Sequence, residues 1–145
     1  MTIAVNTATI RRFYEAMNLG DLAAAAECIA PDFFDHALTM ELAYGREGFL
    51  LARTRSRHML ADITIQVQQL LATRDNYVVA RVLIRAKHVG DYLHIPATGR
   101  AFTMEAISIM RLHHGLIAEH WESSDVPGLL TQLHGRIVVE EESVA

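Results

Sequence analysis

The sequence contains a single cysteine, Cys28, and no apolar run that approaches the roughly 20 residues of a membrane-spanning helix. One cysteine cannot form an internal disulfide, which fits a reducing compartment. The first 13 residues lack a basic segment followed by an apolar one, so no secretory signal is indicated. These absences predict a cytoplasmic protein that does not associate with membranes.

Basic residues are also few. Lysine and arginine total 13 against 17 acidic residues, which gives a net charge of -4. Scattered basic residues do not build the positive surface that a phosphate backbone requires, so we expect no nucleic-acid partner. The 145 residues are 51% apolar, which predicts one domain over residues 1–135. The acidic tail, residues 136–145, is expected to fray.

Motifs for metals and nucleotides are missing. The sequence has no His-Glu-x-x-His pattern, no closely spaced cysteines and no glycine-rich loop after a strand. Packing on an alanine-rich helix explains Cys28 better than nucleophilic catalysis does. We therefore predict no metal and no cofactor, which leaves eight histidines to be explained by structure, solvent or acid–base chemistry.

The first 60 residues carry helical signals. Apolar residues recur with helical spacing over residues 7–18, and a helix-favouring stretch over residues 22–29 follows a candidate N-cap at Asp21. The aromatic and acidic segment 32–36 is predicted to be a turn against the interior. A third helix is predicted over residues 46–60, with its arginines facing solvent in part.

Strand signals follow. Apolar and polar residues alternate over residues 63–68, which is typical of a half-buried strand. Further elements are predicted as strands over residues 77–86, 101–112 and 116–122, a tight turn over residues 113–115 and a short helix over residues 126–133. Helices followed by antiparallel strands indicate an α+β fold, with the helices on one face of a curved sheet.

Residues two apart on a strand share a face, which sorts the side chains of the 101–112 strand. One face is nearly all apolar and consists of Phe102, Met104, Ala106, Ser108 and Met110. If the helices cover this face, the result is either a filled core or an apolar pocket. The sequence pattern alone leaves both open.

The next strand places His120 and Glu122 on the same side. An imidazole beside a carboxylate at an apolar wall can act as a general acid–base pair, because burial would bring proton transfer close to neutral pH. The alternative is an ordinary ion pair at a solvated strand end. Glu119 and Trp121 belong to the opposite face.

Other polar residues have two interpretations each. Asp125 could be the N-cap of the last helix or a carboxylate at the cavity mouth. Asp35 and His36 stand beside aromatic residues and need polar partners, so they could face the same cavity. His88 flanks a loop that contains glycine, where it could line a pocket or remain solvated.

Several segments together resemble the SnoaL-like polyketide cyclases, which belong to the NTF2-like superfamily. The matching segments are RFYEAMN at 12–18, GD at 20–21, APDF at 30–33, KHVG at 87–90, IPATGR at 95–100, MR at 110–111, GLIAEHW at 115–121 and QL at 132–133. They occur in the family's order and span most of residues 6–134.

The resemblance implies an NTF2-like cone in which the N-terminal helices and a strongly curved, mainly antiparallel sheet enclose an apolar cavity. It implies homodimers or homotetramers and a cofactor-free enzyme of secondary metabolism, such as antibiotic biosynthesis. The implied catalytic residues are Glu122, His120 and Asp35. The implied substrate-binding residues are His36, Phe33, His88, Phe102, Met104, Ser108, Met110 and Asp125.

The implied reaction is ring closure of an apolar, polyketide-like molecule, in which Glu122 removes a proton next to a carbonyl. Family cyclases that resemble this chain usually carry aspartate at that position, so the reactive oxygen is shifted here by about a bond length. Ala106 and Ser108 also replace larger polar residues. The same fold serves isomerases, dehydratases and cofactor-free oxygenases, and a non-catalytic module that binds a small ligand is a further alternative.

Overall fold

The computed structural model describes residues 1–134, in which helices pack against the concave face of one five-stranded sheet. The elements are α1 (Ile3–Leu19), α2 (Leu22–Glu27), β1 (Ile29–Asp35), α3 (Gly45–Met59), β2 (Leu60–Ala72), β3 (Tyr77–His88), β4 (Ala101–His113), β5 (Leu116–Ser124) and α4 (Val126–His134). The α+β fold class expected from the sequence is confirmed. The expected tail at 136–145 lies outside the described residues.

The strand order is β1-β5-β4-β3-β2. The outer pair β1 and β5 is parallel, and each of the other neighbouring pairs is antiparallel. The tight turn predicted between β4 and β5 is confirmed, because His114 and Gly115 both adopt positive φ angles of 50° and 74°. Two such residues give the twist that a two-residue hairpin needs.

Caps define the ends of the first two helices. The Thr2 hydroxyl accepts a hydrogen bond from the Val5 amide at 3.1 Å, so α1 begins earlier than the apolar pattern predicted. Gly20 ends α1 with a φ of 71°, a conformation that glycine adopts at little cost. Asp21 caps α2 as predicted, accepting from the Ala24 amide at 3.0 Å.

Two predictions for the following segment are wrong. The second helix ends at Glu27 and not at residue 29, and the segment 32–36 is largely strand β1 rather than a turn. The cause is pairing with β5, where the Ile117 amide donates to the Cys28 carbonyl at 2.8 Å. Pro31 is tolerated because β1 is an edge strand with an irregular register around it.

Burial along β4 alternates as the side-chain parity predicted. Phe102, Ala106, Ser108 and Met110 are buried beneath the helices, and Ile107 is 50% exposed on the outer face. The helices α1 to α3 cover the larger part of the inner face. Helix α4 covers the other end, where Leu129 and Leu133 pack against Phe102. In the described part of the chain, no helix is long and apolar enough to cross a membrane.

Candidate active site

Between α1, α3 and the sheet lies a narrow cavity of about 60 Å³, which we call the inner cavity. Its walls are mainly apolar, with a polar group at one side formed by β1, β4 and β5. The lining residues are Phe13, Tyr14, Met17, Ile29, Phe33, Asp35, Phe49, Arg53, Ile65, Ser108, Met110, Ile117, His120 and Glu122. Ligand pockets typically measure about 300–1,000 Å³, so this space alone takes only part of an organic ligand.

A wider cleft adjoins the inner cavity between α3, β2 and the C-terminal end of α1, and we call it the outer cleft. Met17, Arg53, Ile65 and Glu122 line both spaces and therefore form the junction between them. Met104 lines the outer cleft and not the inner cavity. A ligand can thus extend from the interior, past Glu122, towards solvent.

The polar group is a continuous hydrogen-bonded chain across three strands. His120 Nδ1 lies 2.9 Å from Asp35 Oδ1, and His120 Nε2 lies 3.1 Å from Ser108 Oγ. Ser108 Oγ lies 3.1 Å from Glu122 Oε1. The sheet register creates this chain, because Asp35 is directly opposite His120 on β1 and β5, and Ser108 is opposite Glu122 on β4 and β5.

At the deep end of this hydrogen-bonded chain, the neighbours of Asp35 determine the charge of its carboxyl group. Asp35 is 4% exposed, and burial by itself raises the pKa of its carboxyl. The hydrogen bond and charge of His120, the Ala37 amide at 2.9 Å and the charge of Arg53 oppose that effect, so the net pKa of Asp35 lies below its ordinary value. Asp35 is therefore a carboxylate near neutral pH and accepts the proton on His120 Nδ1.

This arrangement fixes the roles of the two imidazole nitrogens. With Nδ1 donating to Asp35, a neutral His120 accepts the Ser108 hydroxyl proton at Nε2. A protonated His120 donates to Ser108 from Nε2, and Ser108 then donates to Glu122. The link is complete when His120 and Glu122 share one proton between them, and that proton can then pass from one to the other through the Ser108 hydroxyl.

Glu122 differs from the sequence expectation in one respect. Its side chain reaches the polar chain, but the residue is exposed at the junction of the inner cavity and the outer cleft. The expected burial of this carboxylate is wrong, because Glu122 belongs to the exposed stretch near the C-terminal end of β5. Its position leaves one carboxylate oxygen at the Ser108 hydroxyl and the group open to a ligand.

Two lining residues were not recognised as site residues from the sequence. Tyr14 was assigned to the core-facing stripe of α1, and it lines the inner cavity together with Ser108. Arg53 was expected to face solvent in part and was given no role in the site, and it lines both the inner cavity and the outer cleft. A signal for Arg53 existed, because it follows the buried Phe49 by one helical turn and so shares its face.

The family assignment follows from comparison with known proteins. The family model described as "SnoaL-like polyketide cyclase" matches residues 8–133. The chain belongs to this family. Among curated relatives, the aklanonic acid methyl ester cyclase DauD from Streptomyces sp. (strain C5) is 29% identical over 86% of this chain and 78% of its own. The nogalonic acid methyl ester cyclase from Streptomyces nogalater is 28% identical over 81% and 89%.

Solved structures agree with this SnoaL-like assignment. TsrD from Streptomyces laurentii superposes with a TM-score of 0.82 at 30% identity, covering 92% of this chain and 97% of TsrD. IdmH from Streptomyces antibioticus gives a TM-score of 0.76 at 35% identity, covering 89% of this chain and 98% of IdmH. The expected NTF2-like fold of helices on a curved sheet is therefore confirmed.

The structure of this SnoaL-like chain separates His36 from Asp35. Successive strand residues point to opposite faces, so His36 emerges on the outer face when Asp35 points inwards. There its ring stacks on Trp121 with centroids 4.5 Å apart, and Nε2 lies 2.8 Å from Glu119 Oε2. The prediction that His36 contacts substrate in the cavity is therefore wrong.

Three other predicted binding residues lie away from the inner cavity. Asp125 caps α4, with Oδ1 accepting the Gly128 amide at 3.0 Å. His88 is fully buried beneath the 90–99 loop, where Nδ1 accepts the Thr98 amide at 3.2 Å. Phe102 packs under α4. Each is held by a structural contact, which corrects its expected place in the substrate site, and Phe33, Ser108 and Met110 do line the cavity.

Within residues 1–134, no three histidine, cysteine, aspartate or glutamate side chains form a group that could hold a metal ion. The polar groups at the cavity wall are instead two carboxylates, an imidazole, hydroxyls and a guanidinium. Such a set can remove, carry and return protons, and it can stabilise negative charge on an oxygen.

The titration of Tyr14 provides a test of the buried cluster. Burial raises the pKa of Tyr14 to about 12, the Ser108 hydroxyl opposes this shift, and the Glu122 charge adds to it. Because the folded pKa exceeds the unfolded value of about 10, the associated stability is present below about pH 10 and is lost as the pH rises towards 12.

We expect the Tyr14→Phe variant to lose the part of the alkaline ultraviolet titration that occurs near pH 12. Stability against pH should also fall less steeply for this variant above about pH 10. The control is Tyr44→Phe, which changes an exposed tyrosine and should retain that part of the titration. Identical titrations for wild type and Tyr14→Phe would contradict the assignment.

Proposed function

We propose that this protein closes a ring in a small, apolar, polyketide-like substrate without a cofactor, by general acid–base catalysis with Glu122. The observation that carries the proposal is the hydrogen-bonded chain from Asp35 through His120 and Ser108 to Glu122, set in the wall of an apolar cavity. Family membership and relatives named as cyclases support the same reaction class.

The proposed step is an intramolecular aldol addition. Glu122 removes a proton from the carbon next to a substrate carbonyl, and the electron pair of the C–H bond forms an enolate. The enolate carbon attacks a second carbonyl of the same molecule, forming a C–C bond and an alkoxide. The proton held at Glu122 then passes to the alkoxide, so the product is an isomer of the substrate.

His120 and Asp35 support Glu122 in this proposal. Asp35 accepts a hydrogen bond from the imidazole and orients it, and Ser108 links the imidazole to Glu122. The pair can thus accept the excess proton while the C–C bond forms and return it through the same hydroxyl. Positioned acid–base groups typically contribute about 10²–10⁴-fold to rate.

The apolar lining of the inner cavity supplies the second contribution. Phe13, Phe33, Phe49 and Met110 surround the space that faces Glu122. Reacting carbons that enter this space are held together and shielded from water. The cytoplasmic location and the homodimer or homotetramer remain predictions from the sequence and its family resemblance.

Ring closure in heavy water tests the proposal. The substrate to try is aklanonic acid methyl ester, the compound in the names of curated relatives. We expect an isomeric product with a new ring, together with enzyme-dependent deuterium exchange at the carbon next to the carbonyl in unreacted substrate. Mass spectrometry and NMR detect both changes, and the same mixture without enzyme is the control.

The alternatives give different products. Gain of oxygen would indicate an oxygenase, loss of water a dehydratase, and an isomer without a new ring an isomerase. Saturable binding without exchange or product would indicate a ligand-binding module. Each of these four results would overturn the cyclase proposal.

A further inference from the structure

Arg53 is the feature of the site that acid–base chemistry does not use. It lies on α3 at the junction of the inner cavity and the outer cleft, where Glu122 also lies. Its guanidinium carbon is 5.8 Å from the centre of the Phe49 ring, so an aromatic face supports the cation. A positive charge is therefore held at the wall of a mainly apolar cavity.

The hydrogen bonding of Arg53 is incomplete. Its Nε is buried and has no partner among residues 1–134, and Arg53 forms no ion pair with a carboxylate there. On the same helix, Arg55 pairs with Glu41 at 3.0 Å, and Arg46 donates from Nε to the Ile29 carbonyl at 2.8 Å. A buried hydrogen-bond donor without an acceptor costs free energy. We therefore expect Arg53 to donate a hydrogen bond to an oxygen of a ligand.

The surrounding charges restrict what that oxygen can be. Arg53 lines the inner cavity together with Asp35 and the outer cleft together with Tyr92. Asp35 is paired with His120, and Glu122 is bonded to Ser108. A ligand that arrives as an anion would meet the negative charge of Glu122. A neutral ligand avoids that repulsion.

The situation changes once Glu122 takes a proton. Its own charge disappears, and an equal negative charge appears on the oxygens of the substrate. We propose that Arg53 is the enolate-binding residue of this site and that the substrate carries a β-dicarbonyl group whose two oxygens accept from the guanidinium. This inference rests on the proposed function and adds the substrate class to it.

The electron balance is that of the aldol step. The C–H bond between the two carbonyls breaks, its proton goes to the Glu122 carboxylate, and its electron pair spreads over both oxygens. Nε and one Nη of a guanidinium form a planar pair of donors that matches two coplanar oxygens. Because the bonds strengthen as charge develops, Arg53 contributes more to the transition state than to substrate binding.

A probe that ionises without reacting tests this inference. 2-Acetyl-1-tetralone is a bicyclic β-diketone whose neutral and enolate forms absorb at different wavelengths. With the probe bound to excess wild-type protein, we expect an ionisation constant about 100-fold larger than with the probe bound to Arg53→Met, since loss of one oxyanion donor costs about 10²–10³-fold. Arg11→Met removes an exposed arginine on α1 and should match wild type.

Two further variants make the result specific. Arg53→Lys keeps the charge and loses the planar donor pair, so we expect it to fall between wild type and Arg53→Met. Glu122→Gln removes the proposed base and leaves Arg53 in place, so it should retain the enhanced ionisation. The titration involves no turnover, so a failure of the acid–base proposal leaves this readout intact.

Equal ionisation constants for wild type and Arg53→Met would overturn the inference, and so would failure of wild type to bind the enolate. A kinetic measurement tests the same role of Arg53. With a substrate that is cyclised, we expect Arg53→Met to lower kcat by about 10²–10³-fold and to change KM far less. A change confined to KM would overturn the role in enolate stabilisation.

Discussion

Replacing Glu122 with glutamine is expected to lower kcat/KM for ring closure by about 10²–10⁴-fold. The amide has almost the shape of the carboxylate and can still contact the Ser108 hydroxyl, but it cannot take a proton from carbon. The substrate should bind with little change in affinity, because the apolar lining and Arg53 remain. Initial rates over a range of substrate concentrations separate kcat from KM.

The matched control for this change is Glu105→Gln, which removes the same charge from an exposed position on the outer face of β4. It should leave the rate unchanged. Both variants should show wild-type circular dichroism and thermal unfolding. A Glu122→Gln protein that is folded and retains wild-type kcat/KM would remove Glu122 from the mechanism.

The second large effect is expected for Asp35→Asn. Without the carboxylate, His120 loses the acceptor that holds the proton on Nδ1 and orients the ring. Disrupting the partner that orients a catalytic imidazole costs up to about 10⁴-fold, so we expect kcat to fall by about 10²–10⁴-fold. The nitrogen NMR shifts of His120 should report the altered tautomer, which a purely structural role would not change.

Acid stability supplies an independent measurement on the same variant. Burial by itself raises the pKa of Asp35. The hydrogen bond from His120 acts in the opposite direction, and the net pKa is below the ordinary value. Asp35 therefore contributes stability above about pH 4, and this contribution is lost as the pH falls through the folded pKa. The free energy of unfolding should fall more steeply on acidification for wild type than for Asp35→Asn.

The control is Asp32→Asn, which alters an exposed carboxylate on the same strand. It should keep the wild-type rate and the wild-type acid response. If Asp35→Asn and Asp32→Asn behave alike in both assays, the pairing of Asp35 with His120 has no role in catalysis.

Local patterns were sufficient for much of the fold. The alternation along β4 and β5 correctly predicted which side chains of Phe102–Met110 share a face and that His120 and Glu122 share a side, and the family resemblance added which face is inward. A two-residue period is a property of the extended backbone itself, so it needs no knowledge of the partner strands. The hairpin turn was likewise predictable from glycine at position 115.

Segment 32–36 shows where local patterns fail. Its aromatic and acidic residues indicated a turn, and the strand forms because β5 offers a parallel partner more than 80 residues away in sequence. That pairing turns Asp35 inwards and His36 outwards. Pairing of this kind depends on the assembled sheet. The sequence of the segment alone therefore does not show that Asp35 faces inwards and His36 outwards.

The sequence by itself determined the α+β architecture, the inward face of β4 and the shared side of His120 and Glu122, because these follow from backbone periodicity and the family's motifs. Only the tertiary structure decided that Asp35, Ser108 and Tyr14 join that pair and that Arg53 faces the cavity. From the sequence alone, a charged residue on a helix is predicted to face solvent, and only its neighbours in the structure show otherwise. Here the curved sheet and α1 enclose the space in front of Arg53, and that enclosure places a cation opposite the proposed base.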